Sequence, residues 1–92
     1  MATANDMTIT VLSPEKELYK GAVTTVTVPG VEGEFQILRN HAPLVSALRE
    51  GGVVIRRADQ ATVTMNIKRG FVEVLHNEVS LLVQGPSELA GV

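Results

Sequence analysis

The chain has 92 residues, 45% of them apolar, and its ten acidic and eight basic side chains give a formal net charge of −2. This length is that of a single domain, and a slightly acidic chain lacks the basic patch that nucleic-acid-binding proteins carry. Cysteine is absent, which excludes a disulfide framework, and no apolar run is long enough to predict a membrane-spanning helix.

Alternating apolar and polar residues predict β-strands from the start of the chain. Residues 8–11 and 25–28 each alternate threonine with valine or isoleucine. A period of two is typical of a strand that buries one face. The Ser-Pro-Glu sequence at 13–15 and the Pro-Gly pair at 29–30 are turn signals, and each is expected to end the strand before it.

The middle of the chain contains shorter strand signals and one ambiguous segment. Phe35 with Ile37, and Val53 with Ile55, alternate over a few residues each. Residues 42–50, APLVSALRE, include good helix formers, but the Gly-Gly pair that follows marks a reversal after about two helical turns. We expect a strand or a mixed segment there, because such a short helix gains little stability without packing.

The strongest strand signal lies in the second half of the chain. Residues 61–68 alternate without interruption, and Val79, Leu81 and Val83 repeat the pattern with Ser80 and Gln84 opposite. The sequence Leu-His-Asn-Glu at 75–78 predicts a tight hairpin turn between residues 71–75 and that last strand. Turn signals recur about every 8 to 12 residues, which is typical of an all-β sandwich or barrel.

The predicted domain boundary follows the last strand signal. We expect residues 1–84 to form one β-sandwich domain. Residues 85–92 begin with Gly-Pro and contain a second glycine, so we expect them to form a flexible C-terminal tail.

The candidate functional side chains are concentrated between residues 28 and 48. Glu32 and Glu34 flank Gly33, so in an extended segment they would point the same way. Nothing in the sequence builds a sugar cleft, a nucleophile elbow or a complete phosphate loop around them. The glutamates are therefore either a solvated loop or an acidic spot that pairs with a basic group on a partner. His41 is either a loop histidine with local hydrogen bonds or a partner contact.

Three segments together resemble the N-terminal domain of the epsilon subunit of F-type ATP synthases. They are residues 9–21 (ITVLSPEKELYKG), the Val-Pro-Gly-x-x-Gly-Glu-Phe motif with His-Ala-Pro-Leu at 28–44, and residues 70–83. The resemblance covers about residues 7–84. Its specific part is His-Ala-Pro-Leu following Gly-Glu-Phe at this spacing.

The resemblance implies a flattened ten-stranded β-sandwich with no active site, cofactor or metal of its own. In the family this domain lies at the foot of the central stalk and joins the gamma subunit to the polar loops of the membrane c-ring. Motif position implies that Glu34 and Glu32 contact the c-ring loops, and that His41 and Ser46 contact the gamma subunit. The implied location is peripheral, on the cytoplasmic face of a bacterial plasma membrane.

Two departures from the family pattern affect these expectations. Arg39 replaces a proline that usually stands two residues before the histidine, which adds a positive charge near Glu34. The sequence also lacks the C-terminal helical hairpin that many members carry, and we interpret it as a short form, natural or truncated. That hairpin carries ATP sensing and inhibition of ATP hydrolysis in the family, so we expect no bound nucleotide. The alternative left open is a stand-alone β-sandwich that binds a small ligand or peptide.

Overall fold

The computed structural model describes residues 6–91, which form eight β-strands and no helix. In chain order the strands are β1 Met7–Leu12, β2 Glu17–Gly30, β3 Gly33–Leu38, β4 Leu44–Leu48, β5 Gly51–Arg57, β6 Thr62–Ile67, β7 Arg69–Leu75 and β8 Glu78–Gln84. The all-β prediction is confirmed, and the ambiguous segment 42–50 contains strand β4. Within the described residues no helix could cross a membrane.

The strands form two layers that share β2. In the first layer, β1 lies between the beginning of β2 and β8, and the layer continues through β7 to β4. In the second layer, the end of β2 lies between β3 and β5, and β6 follows at the edge. All of these pairs are antiparallel except β1 with β8. A single pair, Gly30 with Leu48, connects β2 to β4, and the arrangement confirms the predicted sandwich.

β2 passes from one layer to the other because it bends. Its 14 residues would span roughly 45 Å if straight, at about 3.3 Å per residue. The longest extent of the Cα trace is only 32 Å. The register of β2 against β5 shifts between Val23 and Thr25, which leaves Thr24 out of the ladder. An extra residue of this kind bends a strand and increases its twist.

The strand count of ten was wrong, since residues 6–91 contain eight strands. β2 belongs to both layers, and a division at its bend would count it twice. The segment after β8 makes only an isolated bridge, in which Ala90 pairs with Thr64 beside β6. The count is therefore lower than expected because β2 is one continuous strand and because the pairing of Ala90 with Thr64 is too short to form a further strand.

The core between the layers is made of aliphatic side chains that alternate along the strands. On β6 the buried side chains are Val63, Met65 and Ile67, the apolar set of the predicted alternation. The described residues include no buried polar or charged side chain. Burying one such aliphatic side chain stabilises the fold by about 1.5–3 kcal/mol, so the alternation explains why each strand keeps its register.

The β7–β8 connection is the predicted two-residue hairpin turn. His76 and Asn77 form it, with φ angles of 50° and 63°. Positive φ at both central residues is the geometry whose twist matches that of the flanking strands. The Thr8 amide donates a hydrogen bond to the Asn77 carbonyl oxygen at 2.9 Å, which fixes the turn to β1.

The β2–β3 turn lies one step later than the Pro-Gly signal at 29–30 predicted. β2 continues through Gly30, and the turn residues are Val31 and Glu32. Gly30 pairs with Gly33, and a Cβ on Gly30 would lie 2.7 Å from the Gly33 carbonyl oxygen. Gly33 has a φ of 134°, which side chains rarely tolerate. Gly30 thus allows the two strands to approach closely at the turn, and Gly33 allows the positive φ angle with which the chain leaves it.

Residues 85–91 return along the free edge of β6. Ala90 and Thr64 exchange backbone hydrogen bonds of 3.0 and 2.9 Å. The Ser87 amide donates to the Asn66 carbonyl oxygen at 2.8 Å, and the Asn66 amide donates to Ser87 Oγ at 2.8 Å. Leu89 packs against the core. The flexibility predicted for 85–92 stays a prediction, and residues 1–5 and 92 lie outside the described residues.

Candidate functional site

Glu32 and Glu34 lie at the β2–β3 turn with exposed side chains. Together with Val31 and Ser46, they line a shallow groove beside the turn. Within residues 6–91 the one ion pair joins Arg57 to Asp59, so neither glutamate has a cationic partner there. We call residues 31–34 the acidic loop. It presents two uncompensated carboxylates to solvent, which is the arrangement that attracts a basic group on another molecule.

The acidic loop is fixed to the neighbouring strand β4 by backbone hydrogen bonds. The Val31 amide donates to the Ala47 carbonyl oxygen at 3.1 Å, and the Arg49 amide donates to the Pro29 carbonyl oxygen at 2.9 Å. The Arg49 guanidinium also donates through Nε to the Gly30 carbonyl oxygen, at 3.1 Å. These three bonds hold the base of the loop, so its carboxylates extend from a fixed position.

Ser46 lies beside the acidic loop rather than beside His41. Along β4 the side chains of Leu44, Ser46 and Leu48 are half-buried or buried, whereas Val45 is exposed. Ser46 is therefore on the inner side of β4, where it lines the groove with Glu32 and Glu34. Its hydroxyl donates to the Ala47 carbonyl oxygen at 3.2 Å. The gamma-subunit contact expected for Ser46 and His41 stays a prediction.

His41 lies in the loop between β3 and β4. Its amide donates to the Leu38 carbonyl oxygen at 3.0 Å, and its ring Nδ1 lies 2.8 Å from the Ala42 carbonyl oxygen. A carbonyl oxygen only accepts, so Nδ1 carries the proton in this contact. In the neutral ring Nε2 is then an acceptor. The histidine has the local hydrogen bonds of a structural residue and still offers one polar atom to a partner.

An exposed apolar surface lies on the outside of β4, β7 and β8. We call it the outer apolar face; its apolar members are Val45, Ala47, Phe71, Leu75 and Leu82, and the exposed Glu73 lies among them, between Phe71 and Leu75 on β7 and opposite Val45 on β4. Phe71 lies opposite Ala47 on one side and Leu82 on the other. Its exposure is 56%, and that of Val45 is 69%. Monomeric proteins rarely expose several large apolar side chains together unless the patch binds something.

The outer apolar face was not identified from the sequence, because its side chains have the same apolar character as those of the core. Available signals were the largely apolar run in β4, LVSAL, which only Ser46 interrupts, and the adjacent Leu81 and Leu82 in β8. A continuous apolar run predicts a strand covered on both faces, whereas a half-exposed strand alternates. In this structure the second face of these strands is open to solvent.

The His41 loop and the acidic loop lie at opposite ends of β4. The His41 loop enters β4 at Leu44, and the acidic loop is bonded to Ala47 near its end. A strand of five residues is roughly 15 Å long. The outer apolar face extends along this strand from one loop to the other.

No group of three or more acidic, histidine or cysteine side chains within residues 6–91 could hold a metal ion.

Comparison with known proteins identifies relatives over most of the chain. Residues 6–86 match the model of the family described as ATP synthase, Delta/Epsilon chain, beta-sandwich domain. The ATP synthase epsilon chain of Leptospira interrogans is 48% identical over 80 residues, which make up 87% of this chain and 62% of that protein. The chain therefore spans less than two thirds of this relative. The ATP synthase epsilon chain of Chlorobium limicola is 39% identical over 77 residues, 84% of this chain and 88% of that protein.

A solved structure shares the fold. A chain in the cryo-EM structure of the Euglena gracilis mitochondrial ATP synthase, which comprises OSCP, F1 and the c-ring, superposes with a TM-score of 0.84. It is 19% identical, and the alignment covers 90% of this chain and 53% of that one. The resemblance noted in the sequence is confirmed by the family match and by the two curated relatives. The chain therefore belongs to the family of ATP synthase delta/epsilon chain β-sandwich domains.

Proposed function

We propose that this chain is a non-catalytic rotor subunit of an F-type ATP synthase, which couples the gamma subunit to the c-ring during ion-driven ATP synthesis. The observation that carries the proposal is the pair of different exposed surfaces at β4 on one sandwich. Family membership and the names of the epsilon-chain relatives support it. The proposed location is the cytoplasmic face of a bacterial plasma membrane, held there by the complex.

The acidic loop is the proposed contact for the c-ring. Glu34, with Glu32 beside it, would pair with a basic side chain in a polar loop of the ring. Both carboxylates are exposed and lack an ion pair within the described residues, so a partner's basic side chain can reach them from solvent. Ser46 lines the same groove, so the gamma contact proposed for Ser46 would lie directly beside this surface.

The outer apolar face, together with His41 at its border, is the proposed contact for the gamma subunit. Val45, Phe71 and Leu82 are each more than half exposed, so a partner would remove much of their surface from water. Burial of apolar area is the main driving force of most protein–protein association. The two contacts use different physics, because the ring contact is electrostatic and the gamma contact is hydrophobic.

Charge reversal at Glu34 tests the proposal. Replacing Glu34→Lys turns an attraction into a repulsion, and exposed pairs contribute about 0.2–1 kcal/mol each. The attraction lost and the repulsion gained together amount to about 0.4–2 kcal/mol, so we expect the dissociation constant for the isolated c-ring, measured by surface plasmon resonance, to rise about 2- to 30-fold. Thermal unfolding should stay unchanged, because surface substitutions usually alter stability by less than about 0.5 kcal/mol.

Glu17→Lys is the matched control, because it makes the same charge change on an exposed side chain at the other end of β2. It should leave ring binding and unfolding unchanged. An equal loss of ring binding in both variants, or a parallel loss of binding and melting temperature in Glu34→Lys, contradicts the proposed contact.

The second candidate function is a stand-alone module that binds a small ligand or peptide. One observation favours it, namely a groove of about 530 Å³ lined by Leu12, Phe71 and Leu82, among others. Ligand pockets commonly measure about 300–1,000 Å³. Saturable binding of a small apolar probe that persists in the complex with gamma would favour this candidate. Displacement of the probe by gamma would instead assign the groove to the subunit contact.

A further inference from the structure

Two asparagines, which are 37 residues apart in sequence, join the His41 loop to the β7–β8 turn. The Asn40 amide donates to Asn77 Oδ1 at 2.6 Å, and Asn77 Nδ2 donates to Asn40 Oδ1 at 3.1 Å. Each residue is therefore both donor and acceptor for the other. We call this reciprocal contact the asparagine pair.

Both members of the asparagine pair have left-handed backbone conformations. The φ angle is 67° at Asn40 and 63° at Asn77. Glycine adopts this conformation at no steric cost, and asparagine is among the few other residues that tolerate it. Glycine in place of Asn77 would keep the backbone path but lose both hydrogen bonds, whereas glycine in place of Asn40 would lose only the bond to Oδ1, because the backbone amide still donates to Asn77. The asparagine side chains therefore add a connection between the two segments that the turn conformations do not require.

The asparagine pair joins a loop to a fixed point. Asn77 belongs to a hairpin turn whose strands pair along their whole length, and its carbonyl oxygen accepts the Thr8 amide of β1. Asn40 lies outside any strand, directly before His41. The pair thus holds the His41 loop against the end of β7, where Leu75 of the outer apolar face lies.

We propose that Asn40 and Asn77 are positioning residues, which hold His41 at the border of the outer apolar face so that its ring presents Nε2 to a hydrogen-bond donor of the partner subunit. The Nδ1 contact with the Ala42 carbonyl oxygen, 2.8 Å long, fixes the tautomer that this requires. The partner group that fits is a hydroxyl, an amide N–H or a basic side chain. This inference rests on the proposed function, since it assumes that His41 contacts the gamma subunit.

The test uses Asn77→Gly and Asn40→Gly, which keep the left-handed backbone and remove one side chain each. A loop released by Asn77→Gly must be ordered again on binding, which corresponds to about a two- to tenfold weaker affinity. We expect that loss for the gamma subunit by isothermal titration calorimetry. Asn40→Gly should cause a smaller loss, because its backbone amide still donates to Asn77, and the double variant should lose no more than Asn77→Gly alone. His76→Asn, in the same turn with the same tolerance of positive φ, is the control and should bind normally.

Two further measurements separate positioning from a purely structural role. In a His41→Ala background, Asn77→Gly should cause no additional loss of affinity, because the side chain that it positions is gone. In the free protein, hydrogen exchange at the Asn40 amide should be slow and should accelerate in Asn77→Gly.

The outcomes distinguish this inference from the function on which it rests. If the unsubstituted chain does not bind gamma, the proposed function is wrong and the inference falls with it. If the chain binds gamma and His41→Ala weakens it, but Asn77→Gly does not, only the positioning role is overturned. An equal effect of Asn77→Gly with and without His41 also overturns it.

Discussion

Replacing Phe71→Thr should weaken binding to the gamma subunit far more than it weakens the fold. Threonine has a high strand propensity like phenylalanine, and its hydroxyl suits an exposed position. The change therefore removes the aromatic ring and little else. Phe71 is 56% exposed, which corresponds to roughly 110 Å² of a side chain that offers about 200 Å². At about 25 cal/mol per Å², covering this area would contribute up to about 2.8 kcal/mol.

The measurable loss should be smaller than this limit, because association also costs side-chain and rotational freedom. We expect about 1–2.5 kcal/mol, a 5- to 70-fold rise in the dissociation constant. Titration calorimetry against the purified gamma subunit, and a thermal melt of the free chain, measure the two effects. The melting temperature should fall by no more than about 6 °C, since the exposed part of the ring contributes nothing to folding.

Val54→Thr is the control for this experiment, because Val54 is an exposed apolar residue on β5, in the other layer. It should leave gamma binding unchanged. A dissociation constant for Phe71→Thr within twofold of the unsubstituted chain would refute the reasoning, and so would an equal loss in Val54→Thr.

Two predictions concern the fold itself. Gly30→Ala should destabilise the domain by about 1–3 kcal/mol in urea unfolding, because the new methyl group would lie 2.7 Å from the Gly33 carbonyl oxygen. Gly52→Ala, whose methyl group would have 3.5 Å to its nearest neighbour, should cost less than half as much, and equal costs would contradict the steric argument. The amides of Thr64 and Asn66 should exchange slowly in the full chain and faster in a chain that ends at Gln84, because residues 85–91 bond to them. Fast exchange in both forms would instead support the flexible tail predicted for 85–92.

The local alternation of apolar and polar residues predicted the strands that bury one face and expose the other. Residues 61–68 alternate because β6 buries one face and exposes the other, and the hairpin at His76 and Asn77 follows from two residues that tolerate positive φ. The first half of β2 gave little signal, because residues 17–22 pair only with β1 and are exposed or half-buried. Its place in the sheet depends on a partner strand, which a local pattern does not contain.

The polar part of the candidate site was predictable from the sequence, and its apolar part was not. Glu32, Glu34 and His41 were found because polar side chains in loops are conspicuous between apolar runs. The outer apolar face was missed because Phe71 and Leu82 have the same character as core residues. Composition indicates that a side chain avoids water, but the pairing register of β4, β7 and β8 decides whether it points inward. The gamma contact of Ser46 was implied by its position in the family motif, and it stays a prediction.

The bend at Thr24 has a mechanical consequence. β2 begins at Glu17 in one layer and ends at Gly30, next to the acidic loop, in the other. The two layers are therefore connected by an unbroken peptide chain as well as by side-chain packing. A force that pushes the acidic loop sideways is carried along β2 as tension, and it loads the hydrogen bonds of both ladders together. Sliding one layer over the other would require hydrogen bonds in both ladders to break at once. A subunit with the proposed rotor function would need this resistance to torque.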